Sequence, residues 1–111
     1  MAHWTLVTHI RPDTDTAWYV PSTVIMDKVE ELKTSGKIIS YEKFLSSDTL
    51  TKYYKIQFKT VDDSVNFGQL PECVQNFTDR NTYNNDNNIT SSSEQFESIE
   101  PVLTGVTTIS D

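Results

Sequence analysis

Residues 37–47 (KIISYEKFLSS) and 51–61 (TKYYKIQFKTV) are two runs of alternating apolar and polar side chains, separated by a short polar turn. Period-two alternation is the mark of a strand with one buried face, and two such runs joined by a few residues become antiparallel neighbours. In the first run Ile39, Tyr41, Lys43 and Leu45 share one face, and Ile38, Ser40, Glu42 and Phe44 the other. In the second run Tyr54, Ile56, Phe58 and Thr60 are set against Tyr53, Lys55, Gln57 and Lys59. A helix-like segment lies on either side of this hairpin.

The remaining segments supply the outer elements. Residues 3–11 alternate with β-branched and aromatic content, placing Trp4, Leu6, Thr8 and Ile10 on one side, and Pro12 ends the strand. Residues 13–16 form a polar connection, and Trp18, Tyr19 and Val20 follow before Pro21. A first helix starts at Ser22 or Thr23, buries Ile25, Val29 and Leu32 at helical spacing, and stops at Gly36. Asp62 and Asp63 cap a second helical region beginning at Ser64, broken near Gly68 because Pro71 suits the first turn of a new helix. Its inward stripe reads Leu70, Val74 and Phe77, and the Asn-rich segment 81–88 ends it as a turn. A last strand falls within residues 89–99, anchored by Phe96.

The order β-α-β-β-α-β predicts an α+β fold of the ferredoxin-like type: a four-stranded antiparallel sheet with two helices on one face. Right-handed crossovers place strands 3–11 and 51–61 in the centre. The apolar side of each (Trp4, Leu6 and Ile10; Tyr54, Ile56 and Phe58) then lies under the helices. The reverse side carries His9, Arg11, Glu42, Tyr53, Lys55, Gln57 and Lys59. Residues 1–100 make one domain, and residues 101–111 a tail with an extra strand at a dimer interface. Apolar residues are only 36% of the 111 with Tyr counted, and fewer still with the three Gly in place of the five Tyr, below the roughly 45–50% usual for globular chains on that second count. A core that lean favours burying the open sheet face against a second copy.

This pattern resembles the dimeric α+β barrel proteins, in which two ferredoxin-like chains of about this length stack their open sheet faces. The branch containing the antibiotic-biosynthesis monooxygenases, haem-degrading monooxygenases and stress-responsive proteins is the most similar. The resemblance runs from Ala2 to about Glu100 and includes the second helix interrupted by a proline, GQLPECVQNF. It implies a homodimer. It is architectural, and assigns none of Asn66, Trp4, Trp18 or His9 to the Asn, Trp and His positions that the oxygenases of that branch use.

Charge and composition exclude several classes. Nine basic against sixteen acidic residues leave a net charge of −7, which opposes sequence-independent nucleic-acid binding and anionic membrane surfaces. No run approaches the ~18 apolar residues of a membrane span, and no leader pattern opens the chain; a cytoplasmic location is the expectation. Cys73 is the sole cysteine, so neither an intrachain disulfide nor a multi-cysteine metal site can form. With Gly36, Gly68 and Gly105 alone, the chain has no glycine-rich phosphate loop, and no cofactor is expected.

Few residues point to chemistry. His3 and His9 are separated by about 20 Å of strand at ~3.3 Å per residue, too far to share a metal, and no metal site is expected. His9 is the best general-base candidate, on a polar face shared with Lys55, Gln57 and Lys59 where a twin would dock. Cys73, between Leu70 and Phe77 on a helical stripe, reads as a small buried hydrophobe. Trp4, Trp18, Tyr54 and Phe77 are the candidate lining of an apolar pocket between sheet and helices. Three functions follow: a homodimeric module binding a small apolar or amphipathic molecule, a cofactor-free monooxygenase or isomerase, or an interaction domain with a filled core.

Overall fold

The structure, a computed structural model, describes residues 2–110. The chain runs β1 (His3–Ile10), α1 (Thr23–Thr34), β2 (Ile38–Ser46), β3 (Thr51–Phe58), α2 (Val61–Gln69), α3 (Pro71–Asp86), β4 (Thr90–Glu97) and β5 (Val106–Ile109). It is an α+β fold with one antiparallel sheet of five strands, in the order β4-β1-β3-β2-β5, and three helices. The expected four strands and two helices are thus each exceeded by one. The extra strand, β5, pairs with the chain's own β2, Lys43 opposite Ile109 and Ser46 opposite Val106; residue 111 of the expected tail lies outside the described residues. The extra helix arises at Leu70, whose extended backbone separates α2 from α3 and lets Pro71 open the latter, where its missing N–H removes nothing.

Local chemistry explains most element ends. Ser22 caps α1 by accepting from the Ile25 N–H, and Gly36 follows at φ +82°, a left-handed conformation that side chains with a Cβ resist. The cap of α2 is Thr60, whose hydroxyl accepts from the Asp63 N–H at 3.1 Å. Asp62 and Asp63, expected to be the caps, instead occupy the first turn, where their charge suits the helix dipole. The segment NTYNND, expected to be a turn, is the last part of α3. Two tertiary anchors override its weak helix preference: Asn84 is buried, and the Tyr83 hydroxyl donates to the Ala17 carbonyl at 2.6 Å.

Two registers depart from simple alternation. An irregularity between Ile38 and Ser40 inserts one residue into β2, so Ile38 and Tyr41 lie on the same face and Ile39 is turned out. Ile38 is 1% exposed and Ile39 52%. In β1 the face toward the helices is the opposite of the one expected: Thr5, Val7 and His9 pair across from Ile56, Tyr54 and Lys52 and lie under the helices. Trp4, Leu6 and Ile10 therefore point away from them. Val74, expected inward, is half exposed, while Cys73 beside it is fully buried.

The core proper is Val29, Ile38, Ile56 and Phe58, extended by Leu32, Tyr41 and Phe67. Each fully buried member contributes about 1.5–3 kcal/mol. On the opposite sheet face, residues 98–105 carry the chain from β4 at one edge to β5 at the other. Glu100 meets Lys55 of the central strand at 3.6 Å on the way, and Pro101 is buried. Trp4, Leu6 and Lys55 are buried on this face, beneath that crossing. No helix among the described residues is long and apolar enough to cross a membrane.

Candidate ligand cavity

Between the helix-bearing face of the sheet and the three helices lies a cavity of about 330 Å³. The sheet supplies its floor, with Val7, Tyr54 and Ile56 at the centre; Ile25 and Val29 of α1, Phe67 of α2 and Phe77 of α3 form the roof. Trp18, Tyr19 and Pro21 close one side.

That side wall is a loop held at several points. The Asp13 carboxylate accepts from the Asp15 and Thr16 N–H groups and from the Thr16 hydroxyl, a turn built by its own side chain. The Thr16 hydroxyl is the main reason the Asp13 carboxyl sits below its ordinary range. Arg11 donates to the Thr49 and Thr16 carbonyls at 2.9 and 3.0 Å, and its guanidinium lies 4.7 Å from the centroid of Trp18. Tyr19 packs against Tyr83 of α3, whose hydroxyl holds the Ala17 carbonyl. The wall is thereby formed before any ligand arrives.

His9 and the two cations of the lining gather at one end. His9 is buried; its Nδ1 bonds the Ser91 hydroxyl at 2.7 Å and its ring meets Tyr54 edge-on at 5.6 Å. Burial, followed by the nearby positive charges of Arg80 and Lys52, lowers its pKa from 6.5 to about 4, so it is neutral at pH 7. Lys52 stands 5.2 Å above the Tyr54 ring. From α3 come Asn76, Arg80 and Asn84, spaced four apart and so stacked on one face of the helix, directed at the sheet. Burial lowers the Arg80 pKa, yet a guanidinium remains charged. Among the buried side-chain atoms with no hydrogen-bond partner are Arg80 Nε, Asn76 Oδ1 and Asn84 Nδ2.

The structure brings together Trp18, Tyr54 and Phe77 of the expected lining and separates Trp4, which lies on the other side of the sheet. His9 is in the cavity rather than on the reverse face, because β1 turns its odd-numbered residues to the helices. Lys55 and Gln57 are on that reverse face, opposite Leu6 and Trp4, and Lys59 lies just past the end of β3. Asn76, Arg80 and Asn84 escaped sequence reasoning, although their spacing of four was visible; a search for an apolar stripe passes over a polar one. Cys73 is a free, fully buried thiol, pushed up to about 11 by burial and then by Glu72, which leaves it unreactive at neutral pH. Among the described residues no group of three or more His, Cys, Asp or Glu side chains is placed to hold a metal ion.

No family model matches the sequence, and no curated protein matches it. Among solved structures, the chain is similar to the structure of Rv0793 from Mycobacterium tuberculosis, with a TM-score of 0.56 and 8% identity over 91% of this chain and 99% of that one. At that identity the likeness is one of fold: an antiparallel α+β sheet with helices.

Proposed function

We propose that this protein is a binding module for a small apolar or amphipathic molecule held between its sheet and helices. The observation that carries the reading is a partly open cavity of about 330 Å³, walled largely by aromatic and aliphatic side chains, with its charged groups Lys52 and Arg80 set beside His9. Ligand sites have this character: concave, mostly apolar, preformed, from about 300 Å³ upward, with a few polar groups to fix orientation. A filled interaction domain would not leave a void of this size, given how closely protein interiors pack. The test is native mass spectrometry of the purified protein together with titration of an environment-sensitive apolar dye. Saturable binding of one dye per chain, weakened by Phe77→Ala, is expected; absence of saturable binding overturns the reading.

In its finer classification we propose a ferredoxin-like chain of the dimeric α+β barrel type, with β5 as an addition at the β2 edge. Support comes from the strand order β4-β1-β3-β2 and from apolar side chains on the face away from the helices, where Phe44, Tyr53 and Phe96 join Trp4 and Leu6. Ile10, on the same face, is 47% exposed. A second copy is the proposed partner; it would dock on the part of that face that residues 98–105 leave open, where Ile10 and Gln57 lie, Lys55 being taken up by Glu100. A cytoplasmic setting suits the lone reduced thiol of Cys73. Sedimentation equilibrium distinguishes the dimer from a single chain.

A second reading, an enzyme that moves a proton without a cofactor, is favoured by His9. It is a neutral imidazole facing the cavity and bonded through Nδ1 to the Ser91 hydroxyl; with Nδ1–H as the donor, the other ring nitrogen is left as the acceptor a general base needs. A co-purified molecule that exchanges a carbon-bound hydrogen for solvent deuterium, or is isomerised, with the natural protein but not with His9→Ala would support this reading. An unchanged molecule in both would remove it.

A further inference from the structure

We propose that the cavity selects a small aromatic or apolar molecule bearing an anionic head group, a carboxylate, sulfonate or phenolate, and that Arg80 receives its charge. The inference rests on the binding-module reading and adds the ligand's chemical class.

Charge is the first argument. The chain as a whole is acidic, with a formal charge of −7. Among the described residues the cavity lining inverts that sign: it includes Arg80 and Lys52 and no Asp or Glu side chain. An acidic chain that places Arg80 in the wall of an apolar cavity provides a local attraction for an anion that its outer surface does not.

Arg80 itself is the second. It sits in the middle of α3 on the side turned to the sheet, with its guanidinium 5.1 Å from the centroid of the Phe77 ring. Its Nε–H is buried with no acceptor, and among the described residues no carboxylate pairs with it. A buried donor on a charged group is expensive to leave unbonded. A ligand oxyanion at this point meets that demand, in the planar geometry for which guanidinium is suited.

The neighbours fit the same head group. Asn84 Nδ2, one turn further along α3, is a second buried donor without a partner, and Asn76 Oδ1, one turn earlier, is an unpartnered acceptor. The row reads acceptor, charged donor, donor, which matches an anionic group with a hydroxyl beside it. His9 across the cavity is neutral, so it can hydrogen-bond the ligand without adding a competing charge. The aromatic body then lies along Phe77, Tyr54 and Trp18.

Two naphthalene dyes of one skeleton separate these ideas: 8-anilinonaphthalene-1-sulfonate and its uncharged counterpart N-phenyl-1-naphthylamine. Each is titrated by fluorescence into the whole protein at low salt. The sulfonate should bind at least about tenfold more tightly, as a charge-assisted contact in a partly desolvated site implies. Arg80→Gln should abolish that preference while changing naphthylamine binding less than about threefold, and Arg80→Lys should keep most of it. Far-UV circular dichroism checks that each variant folds, and the comparison of dyes on the natural protein needs no variant. Equal or weaker binding of the sulfonate, or a preference that survives Arg80→Gln, overturns the anionic head group and leaves the cavity a binding site for neutral molecules. Failure of both dyes to bind overturns the binding module and this inference together.

Discussion

Lowering the pH should destabilise this protein through His9, by an amount that can be worked out. Above pH 6.5 the imidazole is neutral in both folded and unfolded chains, so it adds no pH dependence. Its folded pKa of about 4 lies below the ordinary 6.5. Between those two values the unfolded chain therefore takes up a proton that the folded chain refuses, and stability declines as pH falls. At about 1.36 kcal/mol for each unit of pKa difference, the full loss below pH 4 is about 3 kcal/mol. Between pH 7.5 and pH 5.0 it amounts to about 2 kcal/mol by the same linkage. The comparison is His9→Asn, which keeps a polar group within reach of Ser91 and cannot be protonated. Urea unfolding of both proteins at the two pH values cancels every other titrating group. The variant should gain about 2 kcal/mol on the natural protein as the pH is lowered. Equal losses in the two proteins, or an imidazole that titrates near 6.5 by NMR, would refute the claim that burial beside Arg80 and Lys52 keeps His9 neutral.

Other outcomes follow from the packing. Ile38→Ala should cost about 2–5 kcal/mol in urea unfolding and Ile39→Ala less than about 0.5, since the bulge buries one and turns the other out; similar costs would contradict the bulge. Thr60→Ala should cost about 1 kcal/mol through loss of the α2 cap, with Asp63→Asn costing distinctly less. Native Cys73 should react with a thiol reagent only at the rate of unfolding, and immediate reaction would contradict its burial.

Several elements were legible because local chemistry and tertiary packing agree there. The hairpin of β2 and β3, the capped helix α1 ending at Gly36, and the break before Pro71 all carry short-range signals that the fold obeys. Elsewhere the deciding information is not local. Alternation in β1 says that Trp4 and Thr5 face opposite ways, but not which faces the helices. Apolar content misleads there, because residues 98–105 cover the far side of the sheet and permit Trp4 and Leu6 upon it. The bulge hides in a pair of adjacent isoleucines that read alike. NTYNND is helical through Tyr83, whose hydroxyl reaches Ala17 in a distant segment, and through the burial of Asn84. The cavity shows the same limit. Its aromatic residues were recognisable as a class, whereas His9 and Arg80 gained their setting only when the strand faces and helix rotation were fixed.

The diagonal crossing of residues 98–105 has a kinetic consequence. It joins β4 and β5, which lie at opposite edges, so its ends find their places only after the three intervening strands are assembled. Closing contacts that remote in the chain is slow relative to forming the central hairpin. Docking of β5 on the β2 edge should therefore be the last event in folding. Until then β2 presents a bare edge to other chains, the usual starting point for misassembly.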